Sequence, residues 1–487
     1  MLKKDNYALV FTLLFAVIAA IIFVAVIFTP PLTGVADQND FGRVMYGLAH
    51  KDTAHFNNVE KFNFVTTEYA FTPFPHERLF YKSLSEVYFI YAARLVSKAL
   101  GFEYFRLGVI ALLAGGAYIA LMSYIYRAVM PGPPLLRILL GAIMLFVFFD
   151  GNWLMWFYSL YGEPYSIIGF AWVTAAFLYV CRRRTVTWFG AAALVLGSLF
   201  LTGSKVQGIV FLAVCSALIV YLLFKRPSAA KRAVLIAAIP LVILYSVQIY
   251  LSIGARYNGA TVYHAVMFGL LVDAPDKEQA LDDLGLTHEL LPDVGKHAYL
   301  AEDEYVFAPP YSEKLTLEFY DKVSNVTLVK YYLTHPSALA AGLNFLSSKS
   351  LVTATSHGIH TEELPKTTVH HRFTLWSDLR RSLPKNFWFL LAVLLAALAA
   401  SAVCLKRGGK LGFAVMLWAL LAMGVLQFPL PYIFNGHADT TKQLMLFNYI
   451  FDAAAAVILY ALCYGAYHIF SSSSKTRAVV IASPKAR

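Results

Sequence analysis

Two short stretches of this chain hold carboxylates where one could take a proton from an attacking hydroxyl. The first, "GVADQNDFGRVMYGL" (34–48), packs Asp37, Asn39, Asp40 and Arg43 directly behind a long apolar run. Asp40 is a natural N-cap for a helix starting at Phe41, and Asp37 could close an Asx-turn. One cap needs one side chain, however, and this stretch supplies three. The second, "DGNWLMWFYSLYGEPYS" (150–166), begins at Asp150, where one apolar run ends, and reaches Glu163-Pro164, where the next begins. An acid and a proline also suit a helix N-terminus for structural reasons alone. A third set is basic. Lys205 sits in "TGSKVQG", Arg256 follows an apolar run, Arg372 adjoins His370 and His371, and Lys442 shares "GHADTTKQL" with His437 and Asp439. Any of these could meet lipid headgroups non-specifically. Lys205 is the sharper case, because an ammonium in a tight turn between apolar helices needs an anionic partner, and a lipid phosphate is one. Asp452 lies inside an apolar run, where a carboxylate is either functional or a hydrogen-bonded structural group. The histidines and acids of 357–372, including His357, His360, Glu362 and Glu363, match no standard zinc spacing.

The elements that must position these residues are membrane helices. The chain is 59% hydrophobic and 14% charged, against about 45–50% and about 25% for soluble domains. About ten apolar spans follow: 7–29, 104–126, 136–149, 165–181, 187–203, 207–224, 233–253, 386–405, 411–434 and 443–468. The first exceeds a cleavable signal core and reads as a retained anchor. With the N-terminus inside, the short connections around Arg127–Arg137, Arg182–Arg184, Lys225–Arg232 and Lys406–Lys410 fall in the cytoplasm with both termini, and of the acids only Asp5 joins them. That positive-inside bias accounts for the net charge of +11, which is therefore no footprint for nucleic acid. The four cysteines lie within spans or at their inner ends, so no disulfide framework is expected.

The polar mass collects in two outer segments. In 30–103, the spacing of Phe41, Val44, Met45 and Leu48 predicts a one-faced helix, and "SLSEVYFIYAARLVSKALG" (83–101) a second that lies in the interface. The other segment reads as a mostly helical outer domain, with helices from Asp276 to Gly285 and near 311–324 and 335–350. The expected fold is an all-α polytopic membrane protein, divided as follows: spans one to seven with the first outer loop over 1–253, the outer domain over 254–385, spans eight to ten over 386–470 and a basic tail over 471–487. No phosphate-cradling glycine loop or nucleophile elbow is present. Nucleotide chemistry therefore has no visible home.

An acidic motif just after the first span, a second acid in the link between spans three and four, and a large outer loop resemble the GT-C superfamily of membrane glycosyltransferases. The residues that carry the likeness are Asp37-Gln38-Asn39-Asp40-Phe41 and Ser159-Leu160-Tyr161-Gly162-Glu163-Pro164, with Lys205 as a phosphate contact. The layout is similar to bacterial glycan-biosynthesis hexosyltransferases of the WsfD type. The Asp-Glu motif of protein mannosyltransferases and the Trp-Trp-Asp of oligosaccharyltransferases are absent, so those substrates do not carry over. The resemblance implies a GT-C-like bundle and an inverting transfer of a hexose or deoxyhexose. The donor would be a polyprenyl-phosphate carrier, and the acceptor a hydroxyl of a glycan or lipid-linked saccharide, outside a bacterial plasma membrane. Asp40 would be the base, with Asp37 the alternative, and Glu163 would position the acceptor or a metal. Lys205, Arg256, Arg372 and Lys442 would be available to the donor phosphate, and Asn39, Arg43, Asp150, Tyr161, His437 and Asp439 to the sugar or acceptor. A divalent cation (Mg or Mn) at Asp40 and Glu163 stays open. Two other readings remain. One is an O-antigen-type ligase or polymerase, favoured by the run His357 to Arg372. The other is a lipid-linked sugar flippase or transporter, favoured by Asp452.

Overall fold

The computed structural model describes residues 2–50, 63–183, 185–353, 358–361, 370–406 and 411–481. The fold is mostly helical. Among the described residues, eight helices are long and apolar enough to cross a membrane: Tyr7–Ile27, Leu107–Val129, Gly162–Cys181, Val206–Leu223, Ala229–Gly254, Phe387–Lys406, Leu411–Asn435 and Met445–Ser471. A ninth is a broken pair, Pro134–Phe148 and Gly151–Phe157, bent by 53°. The break falls at Asp150, whose extended backbone (φ −61°, ψ 139°) leaves the helix. Its Oδ1 then accepts the Asn152 amide at 3.0 Å to start the next one. Of the ten runs read from the sequence, that at 187–203 forms a shorter apolar helix, Trp188–Gly203.

The helix Gly162–Cys181 is the centre of the bundle. It is 83% buried, whereas Tyr7–Ile27 is 28% buried and turns most of its surface outward. It packs against Leu107–Val129, Trp188–Gly203 and Leu411–Gln427. Lipid tails are as apolar as these side chains, so close packing and hydrogen bonds hold such a bundle together rather than transfer from water.

The first polar loop departs from the expected pair of helices. The segment after Phe41 makes only one 3₁₀ turn, Asp40–Arg43. It then enters a small antiparallel sheet of β1 (Leu48–His50), β2 (Glu68–Phe71) and β3 (Phe105–Arg106), in which Leu48 faces Phe71 and Tyr69 faces Phe105. Gly42 and Gly47 interrupt the helical spacing, and Gly47 has φ +74°. The second helix does form, as Val87–Ala99, with Val87, Ile90, Ala93, Arg94 and Ser97 buried on one face. Arg94 donates to the carbonyls of Gly47 and Thr72, tying that helix to the strands.

The second polar segment is a string of short helices, including Ala255–Ala265, Lys277–Leu284, Asn325–Thr334 and Pro336–Lys349. Ala255–Ala265, Asn325–Thr334 and Pro336–Lys349 pack on Leu430–Asn435 at one end of the bundle, and Lys277–Leu284 packs on Asn325–Thr334. A buried ion pair closes the junction, with Arg380 Nη1 2.5 Å from Asp452 Oδ2 and neither side chain exposed. Trp153 Nε1 donates to the same carboxylate at 2.8 Å. Arg380 also donates to Thr353 Oγ1 and to the Leu351 carbonyl. Through that one oxygen Asp452 ties two parts of the fold together.

Candidate active site

The loop that carries Asp37 and Asp40 is fixed at both ends. Gly34 and Ala36 donate to the carbonyls of Ile359 and Gly358, each at 2.9 Å. Tyr161 Oη donates to the Ala36 carbonyl and accepts from the Gln38 amide, both at 3.0 Å, while its ring meets Phe41 edge-on. The capping expectation is corrected here. Asp37 accepts the Phe41 amide at 3.2 Å, and Asn39 takes the left-handed backbone (φ 71°) without a side-chain cap. That leaves the Asp40 carboxylate for other partners. Arg43 Nη2 lies 2.9 Å from Oδ1 and Lys442 Nζ 2.7 Å from Oδ2. Lys442 also reaches Asp439 at 3.3 Å and stands 5.4 Å above the Tyr161 ring.

Burial alone would raise the Asp40 pKa, but the charges of Lys442 and Arg43 outweigh it and hold the carboxyl well below its usual range. Burial would likewise lower the Lys442 pKa, and Asp40 and Asp439 reverse that, so the ammonium is held charged.

A second carboxylate–lysine pair lies beside the first. Glu163 opens the central helix and is 2% exposed, and Lys205 Nζ lies 2.6 Å from its Oε1. The turn carrying Lys205 is held by the hydrogen bond between Ser204 and Ser166 hydroxyls at 2.7 Å. Gly162 permits this approach, since a Cβ there would lie 2.6 Å from the Ser204 carbonyl and 2.9 Å from Lys205 Cγ. The two pairs share one electrostatic field: Lys205 lowers the Asp40 pKa, and Glu163 raises that of Lys442.

The site also contains a carboxyl that sequence reasoning missed. Glu86 is 1% exposed, and its Oε2 has no hydrogen-bonding partner. Burial, reinforced by the charge of Glu163, pushes its pKa well above the usual carboxylate range despite Lys205 and Arg43. The Ser85 amide, bonded to the Gly203 carbonyl at 2.8 Å, anchors it. Its signal in the sequence was an acid at the head of an amphipathic helix, which reads first as a helix-dipole residue.

Other expected site residues have structural roles. Asp150 caps Asn152 and accepts the Ser377 amide at 3.0 Å. Arg372 was expected to meet a phosphate; instead its guanidinium collects the carbonyls of Val26, Thr29, Pro30 and Pro31 at the end of the first helix. A cation suits that helix C-terminus. His437 pairs with Asp273 at 2.9 Å and stacks on Phe345. Arg256 lies in the helix Ala255–Ala265, with its side chain outside the described residues, as are His357, Glu362 and Glu363. His370, buried beside Gly151, has its pKa lowered to about 4, chiefly by burial.

The donor set does not fit a divalent cation at Asp40 and Glu163. Each carboxylate faces a lysine within 2.7 Å, and no group of three or more His, Cys, Asp or Glu able to hold a metal occurs among the described residues.

A family model described as the YfdI N-terminal transmembrane domain matches residues 2–478. Comparison with the curated proteins and with the solved structures finds no match.

Proposed function

The chain belongs to the family of the YfdI N-terminal transmembrane domain, and we propose that in it this domain is a glycosyltransferase acting at the outer membrane surface. The donor is a sugar on a polyprenyl-phosphate carrier, and the acceptor is a hydroxyl of a glycan or lipid-linked saccharide. One observation carries the reading: the pairs Asp40–Lys442 and Glu163–Lys205 meet at one end of the bundle, at 2.7 and 2.6 Å. That end is the outer one if the short basic connections lie in the cytoplasm.

In the proposed step the acceptor oxygen bonds to the anomeric carbon from the face opposite the phosphate. Its proton passes to Asp40. The bond between the anomeric carbon and the phosphate oxygen breaks, and the carrier leaves as its phosphate monoester. Asp40 is a weak base, but Lys442 and Arg43 favour its ionised form before the step, and the hydroxyl becomes acidic as the new bond forms. Glu163 orients the acceptor and is itself held by Lys205. Cations around the site oppose the charge that grows on the leaving phosphate. No step requires a metal or a nucleotide.

The test is transfer by purified protein from polyprenyl-phosphate sugars to candidate acceptors. Asp40→Asn and Glu163→Gln should each lower the rate by roughly 10²–10⁴-fold. Transfer that survives both substitutions overturns the assignment. No turnover, with lipid-linked sugar crossing a liposome bilayer, overturns the reading in favour of a transporter.

A further inference from the structure

We infer that the phosphate of the lipid substrate docks in a separate basic pocket beside Asp40, lined by Arg43, Arg78 and Lys82, rather than on Lys205 or Lys442. The inference rests on the transferase reading for the identity of the lipid, but not for the pocket.

The pocket is a cavity of about 190 Å³ walled by Arg43, Tyr46, Arg78 and Lys82, with Ser252 and Ile253 opposite. At roughly 30 Å³ per water it has room for about six waters, enough for a phosphate headgroup. Its lining contains three cations and no carboxylate. Lys205 and Lys442 already hold carboxylates at 2.6 and 2.7 Å, and Arg43 holds Asp40 at 2.9 Å, which cancels much of their field. Arg78 and Lys82 have no carboxylate partner among the described residues; Arg78 stacks 4.8 Å from the Tyr46 ring and Lys82 Nζ lies 4.9 Å from that of Tyr81. The loop is braced for this arrangement. Arg78 Nη1 and Tyr46 Oη both donate to the Lys82 carbonyl, at 2.9 and 3.3 Å, with Lys82 at φ 56°.

Its position fits a lipid. Ser252 and Ile253 belong to the last turn of Ala229–Gly254, a helix able to cross the membrane. Phe80 and Tyr81, in the same loop as Arg78 and Lys82, are 83% and 52% exposed. Exposed aromatics next to cations at a helix end mark the headgroup level of a bilayer. Two guanidiniums suit a phosphate, which arginine binds through paired N–H groups. Arg43 joins the pocket to the chemistry: it lines the cavity and lies 2.9 Å from Asp40. A phosphate held there is one guanidinium away from the proposed base.

Calorimetric titration of the full-length protein in neutral detergent with farnesyl phosphate tests the pocket, with phosphatidylglycerol as the competing anionic lipid. Arg78→Glu and Lys82→Glu should each weaken farnesyl phosphate binding by about tenfold or more, and Arg78→Lys by less. Lys205→Gln should leave it within about threefold. An unchanged Tm of the unliganded variants shows that the fold is kept. Equal binding by wild type and both charge reversals, or loss in Lys205→Gln alone, overturns the inference. Competition by phosphatidylglycerol at equal concentration overturns the carrier assignment and leaves a general anionic-lipid site. Binding that depends on Arg78, in a protein that transfers no sugar, upholds the pocket and sinks the transferase reading.

Discussion

Lys442 Nζ lies 2.7 Å from Asp40 Oδ2, although 402 residues separate them in the chain. The pair joins the loop after the first helix to the turn before the last. With Arg43 it holds the Asp40 carboxyl well below its usual range, against the effect of burial.

The pH profile should show this. With its pKa held well below 3.8, Asp40 gives wild-type transfer no acid limb from that carboxyl above about pH 4. The folded value is depressed, so the pair's contribution to stability is present above the unfolded pKa of about 3.9 and is lost as pH falls through the folded value. In Lys442→Met an acid limb should move up into the measurable range while the maximal rate falls. Rate–pH curves of the two proteins check it; superimposable profiles would contradict the pairing.

Glu86 should respond in the opposite sense. Its folded pKa is raised, chiefly by burial. The fold therefore loses stability as pH rises from the unfolded value of about 4.3 toward the raised one. Glu86→Gln removes that titration. Its Tm relative to wild type should be higher at pH 8 than at pH 5, with transfer little changed if Glu86 acts as a neutral group. Thermal unfolding in detergent at both pH values measures the difference.

Gly162→Ala should damage the site without removing a charge. The new Cβ would meet the Ser204 carbonyl at 2.6 Å and Lys205 Cγ at 2.9 Å, pushing the lysine turn from Glu163. Displacement on that scale costs about 10- to 100-fold in rate. Steady-state kinetics should show kcat falling more than KM rises.

Arg380→Met should be among the most destabilising single changes, by about 3–5 kcal/mol, since it strands a buried carboxylate. Arg380→Met with Asp452→Leu should recover much of that loss, because no lone charge remains. Unfolding of the two single variants and the double variant gives the coupling directly. Additive losses would show that the pair is not coupled.

The bundle was legible because each apolar run is long enough to force a helix. That Asp40, Glu163 and Lys205 share one face could be read from the alternation of those runs, but that they come together could not. The sheet was not legible: the spacing of Phe41, Val44, Met45 and Leu48 suits a helix, but two glycines and pairing with Glu68–Phe71 favour a turn and a strand. Local pattern favoured Asp40 as the cap of the Phe41 turn, whereas Asp37, four residues before Phe41, is the one that accepts its amide. Arg372, Lys442 and Asp452 needed tertiary information. Each is a charged residue whose partner lies far along the chain, and no spacing rule encodes the Asp40–Lys442 or Arg380–Asp452 match. Glu86 was hidden by a helix start that explained it adequately.

The Arg380–Asp452 pair also works as a depth stop. A helix rises about 1.5 Å per residue, so a slide of the last helix by one residue would pull the carboxylate off its guanidinium. Asp452 lies on the helix Met445–Ile481, and the turn carrying Lys442 directly precedes that helix. The height at which Lys442 meets Asp40 is therefore set about three turns away, by a salt bridge buried in the bundle.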